Sequence, residues 1–195
     1  MPTLKQALLD STNVDGIVTA GVTPLLMENT VWDDIRVPAT RIRQGASLKP
    51  DFNLTDLTLD FDDSSDETIY INIQMPHDWK IESDINPHIH WIQNQDQNIP
   101  WKFEYRWQLN NTTTTTAWTT IALDTLAFTY TSGSLNQISE PSSMITPTGV
   151  TISAIMQIKI TRDVSEDSYS GDAQIYEFDV HYQRDTLGSK DEFVK

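Results

Sequence analysis

The residues best placed to do chemistry are His88 and His90, in the run Asn86-Pro87-His88-Ile89-His90-Trp91. Side chains two apart in an extended strand point the same way, about 6.6 Å from each other. The two imidazoles therefore share one face, and Ile89 and Trp91 share the other. Two neutral imidazoles on one face can ligate a divalent metal. A His-x-His pair also opens the cupin metal signature, but no glutamate follows at the usual short interval and no later Gly-Pro segment supplies a third histidine. A cupin-type catalytic centre is therefore not expected. Two readings stay open: three copies meeting on a threefold axis around a structural divalent metal or a hydrogen-bonded layer, or rings that stack and hydrogen-bond within a protein interface. His88, His90, His77 and Trp91 are the candidate oligomer-axis or interface residues. His88 and His90 are the candidate metal ligands.

The other titratable groups offer less. His77, in Met75-Pro76-His77-Asp78-Trp79-Lys80, has Asp78 and Asp84 close enough in sequence to orient it. A base without a nucleophile does not make a hydrolase, and neither a Gly-x-Ser-x-Gly elbow, a phosphate-binding glycine loop nor a dinucleotide fingerprint is present. The absence of cysteine removes thiol nucleophiles, thiolate metal sites and disulfides. No catalytic residue is expected. His181 shares a face with Glu177 and Asp179, which suits a solvated or interface histidine. Asp60, Asp62, Asp63, Asp66 and Glu67 lack both the EF-hand ligand order and a glycine, so a solvated loop is favoured over a calcium site. Asp163, Glu166, Asp167 and Asp172 are read in the same way.

These groups must be held by strands. From residue 53 the hydrophobic period is two: Leu57, Leu59 and Phe61, then Ile69, Ile71, Ile73 and Met75. In Trp101-Lys102-Phe103-Glu104-Tyr105-Arg106-Trp107-Gln108 four aromatics fall on one strand face, an arrangement a helix would scatter around its circumference. Alternation favours core packing for this row over a sugar-stacking platform. Further strands are expected near 86–92, 118–122, 125–130, 151–161 and 173–183. Turn-forming stretches separate them at Asp60–Glu67, Asn94–Asn98, Asn110–Thr116, Thr131–Gly133, Glu140–Gly149 and Asp163–Gly171. The pattern predicts an all-β, antiparallel, jelly-roll-like sandwich over residues 51–188.

Residues 1–50 read as an extended N-terminal arm. A short helix over 2–10 is possible, with Pro2 in its first turn and Leu4 and Leu8 on one face. Beyond it lie Pro24, Pro38, Pro50 and the knot Trp32-Asp33-Asp34-Ile35-Arg36, without sustained periodicity. Such an arm is stabilised best against a partner, which makes Trp32, Asp33, Asp34, Ile35, Arg36 and Val37 the candidate docking residues. Residues 189–195 read as a C-terminal tail. The 13 basic and 28 acidic residues give a net charge of −15, which repels phosphate backbones, so no nucleic-acid partner is expected. The N-terminal text has no signal-peptide pattern, and no stretch approaches the roughly 20 apolar residues of a membrane span. Membrane insertion is not expected.

Four segments, Val31–Pro38, Ile73–Lys80, Asp84–Trp91 and Tyr176–Tyr182, are familiar as a set. They resemble a family of tailed-phage and prophage virion proteins in which a Trp-Asp-Asp-(Leu/Ile)-Arg-Val-Pro arm precedes Met-Pro-His-x-Trp-Lys and Pro-His-(Val/Ile)-His-Trp segments. The resemblance spans roughly residues 30–185 and carries no assigned active site. It implies a non-enzymatic structural subunit of a particle, assembled in the host cytoplasm: a decoration, fibre, or head or tail accessory protein. The implied partners are further copies of the chain, as a trimer in the manner of many phage jelly rolls, and other virion proteins. A carbohydrate- or receptor-binding module of a phage fibre, taking a host surface glycan, is the alternative. Apart from a divalent metal on a symmetry axis, no cofactor is expected.

Overall fold

A computed structural model describes residues 17–18, 26–93, 99–124, 137–141 and 143–193. Its strands are β1 (Ile17–Val18), β2 (Leu26–Pro38), β3 (Arg43–Gln44), β4 (Asp51–Asn53), β5 (Thr58–Phe61), β6 (Glu67–Gln74), β7 (Ile85–Ile92), β8 (Trp101–Gln108), β9 (Thr119–Asp124), β10 (Gln137–Pro141), β11 (Ile155–Arg162) and β12 (Ala173–Thr186). Among the described residues the one helical turn is a 3-10 turn at Ala39–Arg41. The expected helix over 2–10, the strand at 125–130 and the loops at 94–98 and 131–133 lie outside the described residues.

All strand pairs are antiparallel. The principal strands form two sheets, β2-β12-β7-β10 and β9-β8-β11-β6. Counted along the chain, the first principal strand therefore pairs with the last, the last with the third and the third with the sixth. In the other sheet the second pairs with the seventh, the seventh with the fourth and the fourth with the fifth. That is jelly-roll connectivity, as the strand periodicity predicts. β10 joins the sheets, pairing with β7 through Gln137–Ser139 and with β9 through Glu140 and Pro141. The β4–β5 hairpin adds to the edge of β12 at Ala173–Ile175.

The two-residue period fills the interior. β6 turns Ile69, Ile71 and Ile73 inward, and β11 turns in Met156, Ile158 and Ile160. Trp101, Phe103 and Trp107 are buried and Tyr105 packs against the same core. The sheets interlock through aromatic contacts: Trp91 meets Trp101 edge-on with centroids 5.7 Å apart, Phe61 meets Trp101 at 5.1 Å, and Phe103 stacks on Phe178 at 6.1 Å. Such pairs add about 0.5–1.5 kcal/mol beyond the area they bury.

The acidic loops are held internally. Arg162 is fully buried at the end of β11 and donates to Asp167 (2.5 Å) and to the carbonyls of Phe61, Tyr169 and Gly171. Asp66 accepts from the Val164 backbone and Glu67 from the Asp62 backbone. The side chains of Asp167 and Glu67 are thus buried and held by the fold rather than solvated.

One boundary is corrected. β2 pairs with β12 from Val31 to Pro38, Ile35 and Val37 pack on the core, and Ala39 and Ile42 belong to it. The sandwich therefore takes in residues from 26 onward, and the described part of the expected arm contributes β2 and β3 to the sheets. The expected tail is tied down as well: the Ser189 carbonyl accepts from His77 Nδ1 at 2.8 Å, and Ser153 Oγ donates to Glu192 at 3.2 Å.

Candidate functional site

β12 runs between β2 and β7, and its register assembles one polar surface. Asp179 stands opposite His88 on one side and Arg36 on the other. His181 is opposite Asn86 and Asp34, and Glu177 is opposite His90 and Pro38. Because the strand period is two, Glu177, Asp179 and His181 join His88, His90, Asp34 and Arg36 on the face turned away from the core. Phe178, Val180, Ile89, Trp91, Ile35 and Val37 fill the other face.

At its centre the Asp179 carboxylate faces both imidazoles of the His-x-His pair. His88 Nε2 touches Asp179 Oδ1, and His90 Nε2 lies 3.4 Å from Oδ2. The two rings are 5.1 Å apart, and His181 meets His88 edge-on at 4.5 Å. One ligand atom from each of His88, His90 and Asp179 lies within 4.8 Å of the others. The His88 and Asp179 side chains are 5% and 6% exposed, while that of His90 is 22% exposed, so the cluster opens on the His90 side.

Burial pushes the Asp179 carboxyl up, but the contacts and charges of His88 and His90 outweigh it and hold the group at about 2. It is therefore an ionised carboxylate. Asp179 Oδ1 and His88 Nδ1 are both buried without a hydrogen bond. The close Oδ1–Nε2 approach puts the carboxylate in direct contact with the imidazole, which favours the ionised acid. Outside this centre, His181 Nε2 lies 3.1 Å from Asp34 Oδ1, and Arg36 forks onto Glu177 with two contacts of 2.7 Å.

Several expectations change. His88 is enclosed and finds its acidic neighbour, Asp179, in its own chain, while His90 stays partly exposed. Trp91 is 1% exposed within the core and presents no ring to a partner. His77 turns away from Asp78 and Asp84: its Nδ1 donates to the Ser189 carbonyl, and its Nε2 lies 2.8 Å from Ser153 Oγ. Asp78 instead contacts Arg184 at 2.6 Å and accepts from Tyr182, and Asp84 accepts from Thr146. Asp33 pairs with Arg184 at 2.8 Å. Of the six docking candidates, then, Asp33, Asp34 and Arg36 are paired with β12, and Ile35 and Val37 pack inward. Trp32 remains, 48% exposed. Asp179 was the residue missed. Its alternation with Glu177 and His181 was visible, but only the pairing of β7 with β12 brings it to His88.

The aromatic row of β8 is also settled, since three of its four rings are buried. A half-buried aromatic on the opposite side of that sheet, Trp118, has Arg106 at 4.5 Å and Lys159 at 3.9 Å from its ring centroid, so cations already cover its π-system.

No family model matches the chain, and no curated protein matches it. Among solved structures it is similar to a carbohydrate-binding module, TmCBM27, described for specific mannan recognition. The likeness has a TM-score of 0.38 and 11% identity, and covers 79% of this chain and 98% of that one. It is too distant to carry a ligand across.

Proposed function

We propose that the chain is a non-enzymatic structural subunit of a tailed-phage particle, a decoration, fibre or head or tail accessory protein that assembles as a homotrimer in the host cytoplasm. One observation carries this reading: the four segments on which the virion resemblance rests are joined to one another in space. Val31–Pro38 lies in β2, Tyr176–Tyr182 lies in β12 and Asp84–Trp91 covers all but the last residue of β7, three neighbours in one sheet. The 73–80 segment leaves β6 of the other sheet after Gln74 and reaches this one, where the Lys80 backbone donates to Gln183 and Tyr182 donates to Asp78. The motif residues are spent mainly on pairing these strands, as expected of a scaffold.

Val31 and Trp32, 41% and 48% exposed on β2, are the apolar side chains of these segments left for a partner subunit. The test is the composition of gradient-purified particles made by a cell carrying the encoding phage or prophage. Peptides of this chain at a fixed ratio to the major head or tail protein are expected. Infectious particles without the chain would overturn the proposal. Mass measurement on the purified protein checks the trimer separately, and a monomer at micromolar concentration would remove that part.

A further inference from the structure

We propose that His88, His90 and Asp179 bind one divalent transition-metal ion within a single chain. The ligands come from two paired strands of a rigid sheet, His88 and His90 from β7 and Asp179 from β12, so the fold sets their spacing before any ion arrives. Their ligand atoms lie within 4.8 Å of one another, a span that metal bonds of about 2.0–2.2 Å draw together with small side-chain rotations.

A second observation points the same way. Asp179 Oδ1, on a side chain 6% exposed and facing His88 Nε2, is buried without a hydrogen bond. A metal ion shared with the two imidazoles satisfies that oxygen more fully than its contact with His88 Nε2 alone. The donor set selects the ion. Two imidazole nitrogens and one carboxylate oxygen suit Zn²⁺, Co²⁺, Ni²⁺ or Fe²⁺, whereas Ca²⁺ and Mg²⁺ prefer all-oxygen shells. His90 lies on the more exposed side, leaving room there for water or a group from a partner to complete the shell. Nearby, Asp34 and Glu177 add negative charge, although Arg36 answers Glu177. The inference holds for the isolated chain and does not depend on the virion reading.

The experiment titrates the full-length wild-type protein, stripped with a chelator and dialysed, with Co²⁺ as a visible-absorption probe and then with Zn²⁺ in competition. One equivalent per chain is expected, with d–d bands that Zn²⁺ abolishes and millimolar Mg²⁺ does not. His90→Gln, at the exposed ligand, and Asp179→Asn, close to isosteric, should each weaken binding at least about tenfold. His77→Gln, with both its ring nitrogens engaged by Ser189 and Ser153, should bind as the wild type does. Wild-type protein that takes up no Co²⁺ at micromolar concentration overturns the proposal. So does binding that both ligand variants retain in full.

Discussion

His88 and Asp179 stand directly opposite one another on adjacent antiparallel strands, both almost wholly buried although they lie on the face away from the core. A one-residue slip of β12 would bring Phe178 or Val180 to that place and turn Asp179 into the aromatic interior. The pair therefore helps to fix the register that joins β7 to β12. In chelator-treated protein Asp179→Asn should cost about 1–3 kcal/mol, because it removes the charge that His88 and His90 were placed to meet. Denaturant titration reads this as a lower midpoint at an unchanged slope. An unchanged midpoint would mean that the contact contributes nothing to the fold.

Removing residues 1–50 should not leave a soluble sandwich. The deletion takes away β2, exposes one edge of β12 over nine paired positions, and empties the core sites of Ile35, Val37, Ala39 and Ile42. An uncovered long edge strand invites aggregation. Insolubility or loss of the cooperative melt is the expected outcome, and a folded, monodisperse 51–195 fragment would contradict the placement of β2.

The strands that could be read from the sequence are those with one dry face and one wet one. β6, β8 and β11 alternate cleanly, and their burial follows the alternation. β2 was hidden because its pattern is polar on both sides: Trp32, Asp34 and Arg36 point outward, while Asp33 lies on the side of Ile35 and Val37 and is answered by Arg184. Nothing local to residues 31–38 shows that β12 supplies those partners 140 or so positions later. The site divides in the same way. Strand geometry alone places His88 beside His90, but Asp179 joins them through a long-range pairing that no local spacing encodes.

Arg162 should be the most costly charge to remove. Its guanidinium satisfies the carbonyls of Phe61, Tyr169 and Gly171 as well as Asp167, and it is fully buried. Arg162→Met leaves a buried carboxylate and three carbonyls without their donor, at a cost of about 3–5 kcal/mol. Arg36→Met, which removes a largely exposed pair, should cost under about 1 kcal/mol. Equal losses in the two variants, measured by thermal melting, would contradict this ranking.

The acidic end of the sandwich predicts a pH dependence. Burial and the neighbouring carboxylates of Asp60 and Asp62 push the Asp172 carboxyl up, only partly offset by Arg162, with Asp63 adding to the rise. A raised carboxyl binds its proton more tightly in the folded chain. Its contribution is therefore full below the ordinary aspartate value of about 4 and is lost as pH climbs through the folded value. Asp172→Asn should raise stability at pH 7 by a few tenths of a kcal/mol and flatten the decline above pH 4, since the group is largely solvent-screened. A variant that melts lower than wild type at pH 7 would reverse the sign.

Docking to the particle can be measured by cosedimentation. Particles assembled without this chain are mixed with purified protein, either wild type or the pair Val31→Ser and Trp32→Ser. Those two side chains are nearly half exposed, so the variant should keep the wild-type melting temperature within a few degrees. Wild-type chain should pellet with the particles to saturation while the folded variant stays in the supernatant. If the wild type also stays in the supernatant, or if both pellet equally, the chain is not a particle subunit held by this end of β2.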